Sequence, residues 1–148
     1  LLQRGAKVEL QNSKGSTALM HAANNGRERV VELLMRRGAE INKQDGDGWT
    51  ALMAAAGRGH ERVVELLIQH GVELNLQNSD SVTALMTAAF FGHPAIVRRL
   101  LRAGADAAVR APDGKTALQI AKEDGHAECV QAFRTYLGEV ASRRGKAA

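Results

Sequence analysis

The fold follows from the segment Thr50-Ala51-Leu52-Met53-Ala54-Ala55-Ala56, because parts of it recur along the chain. Copies of its first three residues, Thr-Ala-Leu, begin at residues 17, 50, 83 and 116, a constant step of 33 residues. Glycines at 26, 59, 92 and 125 keep the same step. A fixed period with several positions in phase is the signature of a repeat protein.

Composition limits the class of protein. The chain has 148 residues, 45% of them hydrophobic but only 3% aromatic, which suits short, closely packed helices. A net charge of +4 is spread along the sequence and forms no polycationic tract. No apolar run approaches the ~18 residues that a membrane span needs. The single cysteine, Cys129, excludes an internal disulfide framework and favours a reducing compartment, so we expect an intracellular protein, cytoplasmic or nuclear.

Each period has the same internal order, which the second copy illustrates. Gly46-Asp47-Gly48 has the residues of a tight turn. Thr50 stands where the N-cap of a short helix belongs. A second helix is predicted by the apolar residues Val63, Val64 and Leu67 at helical spacing, and Gly71 is placed to end it. The repeating element is therefore a turn followed by two short helices.

The repeating element resembles the ankyrin repeat, whose signature runs T-P-L-H-x-A, then G-H, a Val-Val-x-x-Leu-Leu helix and G-A-x-x-N. The resemblance covers nearly the whole chain. It implies an all-α solenoid of stacked helix-turn-helix units with projecting β-turn or hairpin fingers. Two positions depart from the signature. Alanine replaces its proline in all four copies, as at Ala51. Methionine replaces its histidine in the first three, as at Met53, and Gln119 takes that position in the last. We expect thioether packing to replace the polar link that this histidine makes in the family.

The period also predicts the boundaries of the units. Leu1-Leu2 is in phase with Leu34-Met35, so the chain is expected to open in mid-repeat. The last copy has polar substitutions suited to a terminal cap, and Leu137 stands where a helix-ending glycine is expected, so its second helix should continue to about Ala141. The predicted boundaries are the end of a truncated repeat at 1–11, ankyrin repeats at 12–44, 45–77 and 78–110, a capping repeat at 111–141 and a frayed tail at 142–148.

No group of residues predicts catalysis, a cofactor or a metal site. His60, His93 and His126 are one period apart, whereas the ligands of one metal ion must converge within about 2 Å of it. They are interpreted as a structural position in the Gly-His turn. Cys129 aligns with Val30 and is interpreted as a small buried hydrophobic residue. We predict that the chain is not an enzyme.

Two sets of residues suggest binding. In the ankyrin family, the residue before the capping threonine and the last residues of the first helix line the concave, partner-facing surface. Aromatic residues at those positions are candidate anchors because such residues dominate binding energy at protein interfaces. The alternative is that Phe90 or Phe91 fills a gap left by Gly57, as part of the fold. The candidate partner-binding residues are Trp49, Phe90, Phe91, Arg58, Asp47, Asp80, Val82, Asn24, Asn25 and Ser16.

The second set is basic. Arg98, Arg99, Arg102 and Arg110 concentrate on the third unit, and Arg99 stands where earlier units have leucine. Arg99 could mark a contact with an acidic partner, but no aromatic residues interleave these charges as in nucleic-acid binding proteins. A solvated helix face is the preferred interpretation.

The predicted function is that of a non-enzymatic scaffold that binds another protein through its concave inner helices and fingers. Two alternatives stay open: a basic-face module for an acidic partner or nucleic acid, and a targeting or spacer segment of a larger multidomain protein. Nucleic acid and membrane spans are not expected. The chain should be a monomer unless its exposed N-terminal edge pairs with a second chain.

Overall fold

The computed structural model describes residues 10–147 and contains eight helices in that range, with no strand there. The repeat end predicted at 1–11 lies outside the described residues except for its last two. The predicted all-helical solenoid is confirmed: each unit contributes one short and one longer helix. The helices are α1 (Ala18–Asn24), α2 (Glu28–Arg36), α3 (Ala51–Arg58), α4 (Glu61–Gln69), α5 (Ala84–Phe90), α6 (Pro94–Ala103), α7 (Ala117–Glu123) and α8 (Ala127–Ala147).

The threonine of each Thr-Ala-Leu motif caps the first helix of its unit, as predicted. The Thr50 hydroxyl oxygen accepts a hydrogen bond from the backbone N–H of Met53 at 3.2 Å, and the equivalent bonds form in the other three units. This bond satisfies an amide at the helix start that has no partner within the helix. The Met53 side chain is buried, in agreement with the expected thioether packing.

The helices stack in two rows, with each first helix against the next first helix and each second helix against the next second helix. Ala55, Ala56, Ala88 and Ala89 are fully buried between the first helices, where their small side chains allow close approach. The core is therefore continuous along the stack, as expected when neighbouring repeats bury each other's apolar faces.

The turn before each first helix projects as a finger (residues 12–16, 45–49, 78–82 and 111–115). In the second finger one carboxylate oxygen of Asp45 accepts hydrogen bonds from the backbone N–H groups of Asp47 and Trp49, both at 2.9 Å. Neighbouring fingers are joined by backbone bonds of 2.9 Å, from Gly46 to the Lys14 carbonyl and from Ser79 to the Asp47 carbonyl. The equivalent bond to the fourth finger cannot form, because Pro112 has no N–H.

The last helix is longer than predicted. Helix α8 continues to Ala147, so the predicted end near Ala141 is wrong, and residues 142–147 of the predicted frayed tail are helical. Glu139 carries an exposed ion pair to Arg143 one turn later, at 3.9 Å, and a second to Arg102 of α6, at 3.2 Å. No proline interrupts this segment, and these contacts favour continued helix.

Within the described residues, every helix is either too short or too polar to cross a lipid bilayer.

Candidate partner-binding groove

A groove of roughly 800 Å³ lies on the inner face of the stack, defined as the face made by α1, α3, α5, α7 and the fingers. It spans the first three full units and is bordered by the second finger on one side. Five of the candidate residues predicted from the sequence line it: Ser16, Asn24, Trp49, Arg58 and Phe91. The structure thus brings together residues from three separate repeats.

Trp49 forms one side of the groove at the base of the second finger. Its backbone N–H is fixed by the Asp45 carboxylate, and the residue is half-buried with its side chain against the core. The side chain is thus supported by packing against the core and also lines the groove. A large aromatic side chain held in this way loses little conformational entropy on binding.

Phe91 of the third unit also lines the groove, and its neighbour Phe90 lies beside it outside the lining. The two rings pack edge to face, with centroids 4.9 Å apart and an interplanar angle of 87°. Phe91 and Phe90 are 54% and 53% exposed, respectively, although both are large hydrophobic residues. They form the most exposed aromatic pair in the part of the chain that the structure describes.

Phe91 also leans over the preceding unit. A Cβ atom added to Gly57 would lie 3.6 Å from two carbons of the Phe91 ring and 2.8 Å from the Thr87 methyl group. The space above Gly57 is therefore occupied by the third unit, as the alternative interpretation of Phe91 required. About half of the Phe91 side chain nevertheless remains exposed after this contact.

Arg58 contributes the positive charge of the groove. Its Nε–H donates a 3.2 Å hydrogen bond to the side-chain oxygen of Asn24 in the preceding unit. Among the described residues no carboxylate forms an ion pair with Arg58. The guanidinium is therefore held in place by a neutral partner, and its charge is not compensated.

The other predicted residues lie around the groove rather than in it. Asp47 and Asp80 are exposed at the tips of the second and third fingers, and Val82 is half-buried at the base of the third. Asn25 is exposed at the end of α1. These residues share the inner face with the groove but do not line it.

The histidines of the Gly-His turns link neighbouring units at the ends of their first helices. His60 Nε2 lies 2.9 Å from the Asn24 carbonyl oxygen, His93 Nε2 lies 3.0 Å from that of Gly57 and His126 Nε2 lies 2.8 Å from that of Phe90. Each bond joins one unit to the end of the first helix of the preceding unit. Their predicted structural role is confirmed. In the described range no three His, Cys, Asp or Glu side chains gather as a metal site would require.

A family model described as ankyrin repeats (3 copies) matches the sequence at residues 1–78, 19–111 and 85–146. The chain belongs to the ankyrin-repeat family. Ankyrin repeats are generally protein–protein interaction modules and are typically non-catalytic. No curated protein matches this ankyrin-repeat chain significantly.

Arg98, Arg99 and Arg102 of the third ankyrin unit lie on α6, away from the inner face, whereas Arg110 lies in the link after α6 and donates a 2.6 Å hydrogen bond to the Gly114 carbonyl. Arg99 forms ion pairs with Glu61 at 3.1 Å and Glu65 at 3.3 Å, both in the preceding unit. Arg102 pairs with Glu139. Arg99 therefore joins adjacent ankyrin units, and the charge that suggested an acidic partner is compensated within the chain.

The fourth ankyrin unit has a charged pair where the second has Trp49. Lys115 occupies the equivalent position and forms ion pairs with Glu123 and with Asp113. Its hydrogen bond to Glu123 raises the pKa of the Lys115 amine above its ordinary value. The aromatic part of the inner face is thus confined to the second and third units.

His21, Ala54 and Thr87 are among the groove residues that the sequence analysis did not name as partner-binding. These three residues are 33 positions apart, and each lies four residues after the capping threonine of its unit. Following that period at every position of the first helix, and not only at its end, would have identified them. The hydrogen bond between Arg58 and Asn24 had no signal in the sequence.

Proposed function

We propose that this chain is a non-enzymatic scaffold that binds a partner protein through the groove and the fingers of its inner face. The observation that carries the proposal is the pairing, in one groove, of accessible aromatic side chains with an arginine that lacks an acidic partner. Tryptophan, tyrosine and arginine are enriched among the residues that dominate binding energy, and such residues cluster in the centre of interfaces.

The aromatic residues support binding because the fold gives no other reason for their exposure. The position equivalent to Phe91 is occupied by Asn25, Arg58 and Asp124 in the other units, so the packing of the repeat does not require an aromatic ring there. Leaving half of a phenylalanine in water forgoes about 25 cal/mol per Å² of apolar surface that a partner could cover.

Pre-organisation also supports binding. The His93–Gly57 and Arg58–Asn24 hydrogen bonds link adjacent units across the groove. The finger bonds between Gly46 and Lys14 and between Ser79 and Asp47 fix its border. A surface that is ordered before it binds pays a smaller entropic cost on association.

The experiment is a comparison of proteins captured from a cell extract by the wild-type chain and by variants. We expect Trp49→Ala and Phe91→Ala to lose the same captured protein. The matched control is Arg29→Ala, on α2, where the side chain is exposed outside the groove. Thermal unfolding of each variant shows whether a loss of capture reflects a loss of folding.

The proposal fails if both groove variants retain the captured protein while Arg29→Ala loses it. It also fails if capture falls only in proportion to the unfolded fraction of each variant, because the aromatic residues would then act through stability alone.

A further inference from the structure

One row of residues runs along the inner face with a different chemistry in each unit. Asn25, Phe91 and Asp124 are the C-cap residues of α1, α5 and α7, and Arg58 is the last residue of α3. Their positions in the sequence differ by 33 residues at every step. All four are exposed. The row therefore presents, in order, an amide, a cation, an aromatic ring and an anion.

The spacing of the row follows from the stacking of the first helices. Each of α1, α3, α5 and α7 contacts the next. Packed helices lie about 8–10 Å apart. An extended peptide advances about 3.3 Å per residue, so one step along the row corresponds to about three residues of an extended chain.

The two charges of the row are open to a partner. Neither Arg58 nor Asp124 forms an ion pair with another described residue, whereas Glu123, next to Asp124, is paired with Lys115. Phe91 separates the two charges, and its ring remains half exposed although it contacts the second unit and the Phe90 ring. A partner segment gains from an acidic group at one end of the row, an apolar group in the middle and a basic group at the other end.

We infer that the row formed by Arg58, Phe91 and Asp124 binds an extended peptide segment with one acidic, one apolar and one basic side chain, spaced about three residues apart. This inference rests on the proposed function, since it names the chemistry of the partner at the same face. A segment with like charges at both ends places one of them opposite a charge of its own sign, which disfavours binding.

The test is a selection of random displayed peptides of about 12 residues on the folded wild-type chain. We expect the enriched peptides to have an apolar residue flanked, about three residues away on either side, by one acidic and one basic residue. Either chain direction satisfies the row, so both orders of charge support the inference.

Repeating the selection on two variants gives a readout that a change in stability cannot imitate. Arg58→Glu should enrich peptides with basic residues on both sides of the apolar residue. Asp124→Arg should enrich peptides with acidic residues on both sides. For a peptide selected on the wild type, we expect each variant to weaken binding about tenfold. Arg29→Glu, which changes a charge outside the row, should leave both the pattern and the affinity unchanged.

The outcomes separate this inference from the proposed function. Peptides that lose binding with Phe91→Ala but lack the charge pattern, or whose pattern is unchanged by Arg58→Glu and Asp124→Arg, overturn the inference and leave the groove as a binding site. Peptides that are insensitive to Phe91→Ala and Trp49→Ala count against both. A selection that enriches no peptide overturns the inference, because the row would then not bind an extended segment.

Discussion

His93 Nε2 lies 3.0 Å from the backbone carbonyl oxygen of Gly57, so that a side chain of the third unit satisfies the end of the first helix in the second. Because a carbonyl can only accept, this nitrogen carries the proton of the bond. The last carbonyls of a helix have no partner within it. Equivalent bonds from His60 and His126 mean that every pair of successive units in the described stack is joined by a bond of this kind.

The first prediction concerns this histidine. His93→Ala should lower the free energy of unfolding by about 1–3 kcal/mol, because it removes a bond to a half-buried carbonyl and the packing of the ring. Urea denaturation measures the change. His21→Ala is the control, since that exposed side chain has only a 3.4 Å contact with Asn12. Equal effects of the two substitutions would show that the bond to Gly57 contributes nothing particular.

The second prediction concerns Ser81, the only non-glycine residue in the described range with a positive φ, at 61°. Glycine occupies the equivalent position in the other three fingers, at residues 15, 48 and 114. Left-handed backbone costs a non-glycine residue roughly 1–2 kcal/mol, and glycine loses part of that advantage through the entropy of the unfolded chain. Ser81→Gly should therefore raise stability slightly, by about 0.5 kcal/mol.

Ser16→Gly is the control for Ser81→Gly, because Ser16 lies in a finger but does not have a positive φ. That substitution should lower the midpoint of thermal unfolding. A decrease for both variants would mean that the Ser81 backbone is not strained.

The third prediction concerns the ion pair between Arg99 and Glu61, which joins the third and second units. Both side chains are substantially exposed, at 40% and 48% of their surface, so screening by solvent keeps the contribution small. We expect a double-mutant cycle with Arg99→Ala and Glu61→Ala to give a coupling energy of about 0.2–1 kcal/mol that decreases in high salt. A coupling of zero at low salt would mean that Arg99 is available to another acidic group.

The fourth prediction concerns the pH dependence of stability through Cys129. Burial raises the pKa of this thiol above its ordinary value of 9.0 in spite of the nearby Arg98 cation. The unfolded chain therefore ionises its thiol at lower pH than the folded chain does, and the contribution to stability is complete below pH 9 and is lost as the pH rises above it. Cys129→Val should remove this loss.

The measurement for Cys129 is urea denaturation of both proteins between pH 7 and about pH 10.5, the range in which an ordinary thiol titrates. Valine stands at the equivalent position of the first two full units, as Val30 and Val63, so the replacement suits the site. Parallel pH profiles would contradict the assigned role of the thiol.

The fifth prediction separates the aromatic residues of the groove from those of the core. Phe133 is 1% exposed, and Phe133→Ala should lower the free energy of unfolding by about 3–5 kcal/mol. Phe91→Ala should change it by no more than about 1 kcal/mol, because this half-exposed ring loses only its contact above Gly57 and its edge-to-face contact with the exposed Phe90. A loss at Phe91 comparable to that at Phe133 would assign Phe91 to the core.

The fold could be predicted from the sequence because its determinants are local and repeated. Thr50 and its equivalents cap helices through bonds to residues three positions away, and such bonds need no knowledge of tertiary structure. The end of α8 could not be predicted from the repeat, because no other unit has a counterpart to this extension and the 33-residue period gives no information beyond it.

The site was only partly predictable for the same reason. The alignment placed Trp49, Arg58 and Phe91 on one face, but it could not show that Arg58 bonds to Asn24 or that Arg99 pairs with Glu61. Both interactions join side chains more than 30 residues apart, and their formation depends on rotamers that a repeat pattern does not specify.

The most direct test of partner binding at the groove is site-specific photocross-linking in a cell extract. A photoreactive phenylalanine analogue replaces Phe91 in one protein and the exposed Arg29 on α2 in another. If the partner binds in the groove, we expect a discrete cross-linked product from position 91 that disappears when Trp49→Ala is added. We expect no such product from position 29. A product from position 29 alone, or one from position 91 that persists with Trp49→Ala, would contradict partner binding at the groove.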